Sequence, residues 1–294
     1  MKTDMKRWTI ALSALLLCSV QGWSSPAAGQ TAAAGDGAAA CRPEAQQQQP
    51  AASQWQGKRV AILGDSITDP KRVGTDKCWW EYLSESLGFT PLVYGVNGHQ
   101  WNGILRQAEK LLAEHGQQVD AILIFAGTND YNAGLPVGEW YDEAPAETEV
   151  AGPSTTVRMH RTPAMTSETF KGRINRVMDF LKSNYPEKQV ILLTPIHRAR
   201  ARFGDRNIQP EESFPNKIGL YVEEYVEAVK QAANVWAVPV IDLNSVSGLF
   251  PLNDAHVRYF HNGETDRLHP NTAGHRRMAR AIQYQLLAFP ASFE

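Results

Sequence analysis

Val60-Ala61-Ile62-Leu63-Gly64-Asp65-Ser66 is an apolar run that stops at a glycine and leaves a hydroxyl at its carboxyl end. Residues 59–63 read as a strand covered on both faces, because the apolar residues are consecutive rather than alternating. Four further runs, at 91–96, 119–125, 189–194 and 237–242, carry the same valine, isoleucine and leucine bias. The stretches between them show helical spacing: Trp80, Leu83, Leu87, then Ile104, Ala108, Leu111, Leu112, then Phe170, Ile174, Val177, Leu181. Ile218, Tyr221, Val222, Tyr225, Val229 and finally Met278, Ile282, Leu286 continue the pattern. Strands alternating with amphipathic helices predict an α/β domain whose parallel sheet lies between helical layers.

The chain has 294 residues, 43% of them hydrophobic and 20% charged, which suits one substantial core. A formal net charge of -2, with no block of lysine and arginine, speaks against a nucleic-acid partner. Lys2, Lys6 and Arg7 precede the apolar stretch Trp8 to Val20, and small residues follow, so 1–24 reads as a signal peptide. About 13 apolar residues fall short of the roughly 20 that span a bilayer. The less favoured reading is a lipoprotein modified at Cys18, where Leu17 is a poor residue to precede a processing site. Residues 25–54, rich in alanine, glycine, glutamine and proline, read as a flexible linker, and 55–294 as the folded domain. Beyond the signal only Cys41 and Cys78 remain, and no disulfide framework is expected.

The chemistry sits where strands end. Ser66 closes the first run, Asn97-Gly98-His99 follows the second, and Gly127-Thr128-Asn129-Asp130 follows the third. After the fifth, Asp266-Arg267-Leu268-His269-Pro270 places an acid and an imidazole three residues apart. A carboxylate that holds one imidazole nitrogen leaves the other free to take a proton from a serine. A neutral amide such as Asn129 can donate to a developing oxyanion without competing as a base. Singly, each group has a structural reading too: Ser66 as a cap or turn residue, Asp266 as a turn cap, Asn129 in an Asx turn. Residues 131–166 and 195–215 are long connections at the same end of the sheet and read as substrate-contacting loops. Within and beside them, Asp65, Trp140, Tyr141, His197, Arg198 and Arg200 are candidate substrate contacts, Trp140 and Tyr141 by stacking on a sugar ring. His256, His261, His269 and His275, with Asp254 and Asp266, form a histidine-rich stretch, but no spacing matches a zinc site.

The ordered serine, glycine, asparagine and histidine blocks resemble those of the SGNH hydrolases, the GDSL esterase and lipase superfamily, over about residues 58 to 288. Ile67 stands where the name-giving leucine would be, and the glycine block reads Val96-Asn97-Gly98-His99-Gln100 where many relatives have an acid after glycine. The resemblance implies Ser66 as nucleophile, His269 as general base and Asp266 as its orienting acid. It implies an oxyanion hole from the backbone amides of Ser66 and Gly98, with Gly95 as the alternative, and the side chain of Asn129. No metal or organic cofactor is implied. The expected fold is a flavodoxin-like three-layer α/β/α arrangement around a five-stranded parallel sheet. The expected function is an exported serine esterase that removes an acyl group, in the first instance acetyl, from a carbohydrate. Alternatives are a non-catalytic carbohydrate-binding protein on the same scaffold, or a lipase, thioesterase or phosphodiesterase. The expected partner is a small-molecule or glycan ester, with no nucleic acid and no membrane span in the mature chain.

Overall fold

A computed structural model describes residues 53–152 and 154–293; the expected signal peptide and the linker up to residue 52 lie outside the described residues. The central sheet is built from β1 (Arg59–Gly64), β2 (Thr90–Val93), β3 (Ala121–Phe125), β6 (Gln189–Leu193) and β9 (Val240–Ile241). All pairs are parallel and the order is β2-β1-β3-β6-β9. This is the flavodoxin-like order, in which the chain runs outward from β1 in one direction and then in the other.

The consecutive apolar residues divide between two cores, as a pleated strand requires. Ala61, Leu63, Ile122, Ile124, Val190 and Leu192 pack with α2 (Trp101–His115), α4 (Phe170–Asn184) and α5 (Val222–Trp236). Val60, Ile62, Leu123, Phe125, Ile191 and Leu193 pack with α1 (Trp79–Leu87) and α7 (Thr272–Leu286). Leu63 is fully buried, and its truncation to alanine should cost about 2 to 5 kcal/mol in transfer and cavity terms.

The helices begin and end on local chemistry. Thr169 caps α4 by accepting the Gly172 N–H, and Asn271 caps α7 by accepting those of Ala273 and Gly274. The apolar stripe read through Ile218 and Tyr221 starts too early, since both are exposed and α5 begins at Val222. The second strand is also shorter than 91–96. The hydrogen bonds to β1 nonetheless run on, from the Tyr94 N–H to the Ile62 carbonyl at 2.9 Å and from the Val96 N–H to the Gly64 carbonyl at 3.1 Å, and Gly95 packs so closely on Thr68 that a Cβ would sit 2.7 Å from the Thr68 backbone.

Residues 131–166 are not a loop. They begin with the last residues of the short α3 (Thr128–Asn132) and then form an antiparallel hairpin of β4 (Tyr141–Ala151) and β5 (Ser154–Pro163). The hairpin side chains are largely exposed, so neither strand shows the apolar alternation by which a half-buried strand is recognised. A small sheet of order β10-β11-β7-β8 forms from β7 (Ala201–Arg202), β8 (Ile208–Gln209), β10 (Phe260–Asn262) and β11 (Asp266–Pro270), preceded by α6 (Leu243–Val246). It ties residues 195–215 to the segment carrying Asp266 through the pair Asp266 and Ala201.

The domain starts slightly earlier than composition suggests. Ser53 Oγ donates to the Leu87 carbonyl at 2.9 Å, and Gln54 Nε2 donates to the carbonyl of Phe289 at 2.9 Å. Trp55, fully buried, donates its indole N–H to the Leu286 carbonyl at 2.9 Å. Among the described residues no helix is long and apolar enough to cross a membrane.

Candidate active site

Three strand ends and the small sheet bring the polar blocks together. Ser66 follows β1 across a turn that begins at Gly64, where a Cβ would fall 2.4 Å from Thr68 Oγ1 and 2.8 Å from the Phe125 carbonyl. Only glycine fits so close an approach. Gln107 of α2 holds the same point by accepting the Gly64 N–H at 2.9 Å and donating to the Gly64 carbonyl at 2.8 Å.

His269, at the end of β11, places Nε2 2.9 Å from Ser66 Oγ. Its Nδ1 lies 2.9 Å from Asp266 Oδ2, while Asp266 Oδ1 accepts the backbone N–H groups of Leu268 at 3.1 Å and His269 at 3.0 Å. With Nδ1–H donated to the carboxylate, Nε2 is the acceptor for the serine hydroxyl. All three side chains are buried. Burial alone would push the Asp266 carboxyl up, but the hydrogen bond and charge of His269 and the two amides together hold it below its ordinary value. A carboxylate, an imidazole and a hydroxyl in series form a proton-transfer chain.

Ser66, Gly98, Asn129 and His269 line one cleft of about 410 Å³. Gly98 has φ +79°, in the left-handed region that glycine adopts at no steric cost, and open space beside it. Asp69 fixes this stretch by accepting the Asn97 N–H at 2.8 Å. Gly95, packed on Thr68, does not line the cleft. Asn129 lies in the first turn of α3 and donates Nδ2 to the His99 carbonyl at 3.1 Å. One amide hydrogen is thereby spent on orientation and the other remains for a ligand. His99 Nδ1 in turn lies 2.8 Å from Gln107 Nε2, so one side chain connects the Ser66 turn with the Asn129 carrier.

Supporting groups were less visible in the sequence. Asp130 is fully buried, receives the Trp101 N–H at 3.1 Å and pairs with Arg173 at 3.1 Å. Gln107 carried the one available signal: a polar residue between Ile104 and Ala108 on a buried helical face. Phe203 follows from no pattern in the sequence. It is 42% exposed, lines the cleft and lies with its ring 5.4 Å from that of His269.

Most of the expected substrate contacts are engaged elsewhere. Asp65 is buried with Oδ1 accepting the Ile67 N–H at 3.1 Å, and burial pushes its carboxyl up to about 6. It braces the turn rather than facing the cleft. Trp140 belongs to the hydrophobic core and donates its indole N–H to Gln231 at 2.9 Å, so its faces cannot receive a sugar. Tyr141 packs against the same core and faces Arg161 at 5.6 Å. His197 Nδ1 lies 2.6 Å from Glu212, which raises its imidazole above the ordinary value. Arg198 is 1% exposed, with its guanidinium on Thr128 and Gln209. Burial lowers it to about 10. Arg200 is exposed and outside the cleft lining. A larger surface cavity, about 600 Å³ between Val137 and α5, contains none of the reactive groups.

The sequence profile of the GDSL-like Lipase/Acylhydrolase family matches residues 62–277. Among solved structures, the chain is similar to a protein from Lactobacillus plantarum at 24% identity and a TM-score of 0.61, over 79% of this chain and 98% of that one. It is similar to a possible lipase from Chitinophaga pinensis DSM 2588 at 21% identity and a TM-score of 0.57, over 79% and 99% of the two chains. A member of the lipolytic protein G-D-S-L family from Veillonella parvula DSM 2008 matches at 19% identity and a TM-score of 0.51, over 77% and 96%. No curated protein matches the chain. At these identities the structural likeness speaks to the fold, whereas the profile spans most of the domain and gives the family. The chain belongs to the GDSL-like lipase/acylhydrolase family, within the SGNH hydrolase superfamily, and is an ester-hydrolysing serine hydrolase.

Proposed function

We propose that this protein is an exported esterase that removes acetyl groups from a carbohydrate, with Ser66 as nucleophile, His269 as base and Asp266 as its orienting acid. The observation that carries the mechanism is the continuous chain Asp266–His269–Ser66, two contacts of 2.9 Å each, opening on a cleft that also contains Gly98 and Asn129. Ser66 Oγ attacks the ester carbonyl while its proton passes to His269 Nε2, and the new oxyanion is held by the amides of Ser66 and Gly98 and by Asn129 Nδ2. Collapse expels the sugar alkoxide, which takes the proton from His269. Water, deprotonated by the same nitrogen, then attacks the acyl-enzyme, and as that intermediate collapses His269 returns the proton to Ser66 Oγ, releasing the acid and free Ser66.

The carbohydrate assignment is supported by the cleft's composition. Asn97, Gln100, Asn129, Asn132 and Asn207 line it, a set of amides whose free donors and acceptors suit hydroxyls, while Gln209 in the same lining is held by Arg198. Phe203 adds one exposed aromatic face of the kind that packs on a pyranose. Export is supported by Lys2, Lys6 and Arg7 ahead of the apolar stretch Trp8 to Val20. The test is acetate release from a panel of acetylated polysaccharides and oligosaccharides, with Ser66→Ala as the blank. Serine-dependent release from glycans, in preference to aryl and long-chain esters, is the expected result. Fluorophosphonate labelling that persists in Ser66→Ala would refute the nucleophile assignment.

A further inference from the structure

A second concavity of about 340 Å³ lies beside the catalytic cleft, on the other side of the same two turns. Asn97 and Gly98 line the catalytic cleft, whereas Val96 and His99 line this one. Val73 and Lys71 divide in the same way. A ligand crossing the Gly98 turn would therefore occupy both, and the volume falls within the roughly 300 to 1,000 Å³ of small-molecule sites.

Its walls are chemically uneven. The floor is apolar, from Pro70, Val93, Tyr94 and the exposed Val96. The rim is cationic, with Lys71 from the turn after Ser66 facing Arg106 and Lys110 of α2. Arg106 and Lys110 are four residues apart on one helix face, a like-charge spacing that weakens a helix. Lys110 has Glu114 at 3.6 Å, while Lys71 and Arg106 have no carboxylate within ion-pair distance among the described residues. Asp69, the acid in the lining, is buried and occupied by the backbone N–H groups of Lys71 and Asn97 at 2.8 Å each. Burial and the charge of Arg106 lower the His99 imidazole below its ordinary value. The helix N-terminus that would otherwise favour a bare phosphate is already taken, because the Trp101 N–H donates to Asp130.

An apolar floor beneath a sparse ring of cations suits a ring-bearing carboxylate. We propose that this concavity is a subsite for a sugar carboxylate, so that the glycan whose ester enters the Ser66 cleft is an acidic, uronate-bearing one. The proposal deepens the carbohydrate-esterase reading and rests on it for the choice of a sugar.

The experiment measures binding rather than turnover, which keeps the two ideas separable. The full chain carrying Ser66→Ala is titrated with a uronate-bearing oligosaccharide and with its carboxyl-reduced twin, following amide NMR shifts and affinity. The uronate compound should bind more tightly, shift residues 71 and 93–99, and lose affinity as salt rises. Lys71→Gln and Arg106→Gln should each weaken it about 2- to 5-fold, and together about 10-fold, without changing affinity for the reduced twin. Lys182→Gln, on α4, should change neither. Equal binding of the two oligosaccharides, shifts at another surface, or an unaffected double variant would overturn the subsite. Inorganic phosphate competing as strongly as the uronate would also overturn it, leaving a general anion patch. Uronate binding here without acetate release from any glycan refutes the esterase reading and spares the subsite. The converse refutes the subsite alone.

Discussion

The guanidinium of Arg198 donates to both the hydroxyl of Thr128, at 3.1 Å, and its carbonyl, at 3.3 Å. Thr128 is the residue before Asn129, so a buried cation sets the first turn of α3 from beneath. The same side chain reaches Gln209, and its backbone N–H donates to Glu212 at 2.8 Å, joining residues 195–215 to the site. Arg198→Lys keeps the charge but cannot reproduce the fork. Its kcat should fall about tenfold with KM little changed, alongside a loss of about 1 to 3 kcal/mol from unmet hydrogen bonds. Steady-state kinetics and urea unfolding measure the two effects. Unchanged kcat in a destabilised variant would reduce Arg198 to a folding role.

Asn129→Ala removes the one side-chain donor in the proposed oxyanion hole. Turnover should drop on the order of 100- to 1,000-fold, with substrate affinity nearly unaffected, because the oxyanion exists only along the reaction path. Pre-steady-state acylation of the variant with an aryl acetate isolates that step. A fall of less than tenfold would mean that Asn129 serves the turn alone.

Asp266→Asn preserves shape and inverts a hydrogen bond. The amide that replaces Oδ2 can donate to His269 Nδ1, forcing the proton onto Nε2 and away from the role of acceptor. The expected loss in kcat is roughly 10⁴-fold at neutral pH. Histidine-selective NMR of the variant should show the exchanged tautomer. A proton still on Nδ1 would contradict the account.

Phe203 lies over the catalytic imidazole, with its ring 5.4 Å away and tilted 58°. Phe203→Ala should raise KM for a glycan ester about 5- to 10-fold through lost aromatic contact, while ethyl acetate, which has no ring to pack on it, keeps its KM. Parallel kinetics on the two substrates decide the point.

Sheet and helices were legible because burial on both faces writes itself as consecutive apolar residues, and β1 and β3 differ from expectation by only one or two residues. Ser66 was legible because it follows directly on the apolar strand β1 of the central sheet, whereas Asp266 and His269, which lie in β11 of the small sheet, were legible from a spacing of three that lets the carboxylate reach the imidazole. What the sequence concealed was direction. Trp140 and Arg198 have the chemistry of ligand contacts, yet Trp140 turns into the core and Arg198 is spent on Thr128, because contacts far apart in the chain decide which way a side chain points. The β4–β5 hairpin was hidden by its exposure, since strands without a buried face carry no periodic signal.

His275 provides a test through pH. It is 1% exposed on α7, its Nδ1 accepts the Trp79 N–H at 3.1 Å, and its Nε2 has no hydrogen-bond partner. Burial, reinforced by the charge of His269, lowers its imidazole from 6.5 to about 3. The folded state therefore binds fewer protons than the unfolded chain between those values. Stability is fully present above pH 6.5 and falls as pH drops toward 3, by about 1.4 kcal/mol per unit from this group. His275→Gln retains an acceptor for the Trp79 N–H and removes the titration. Urea unfolding at pH 7, 6, 5 and 4 should show an acid limb shallower by about one proton in the variant. Parallel limbs for the two proteins would place the acid sensitivity in other groups.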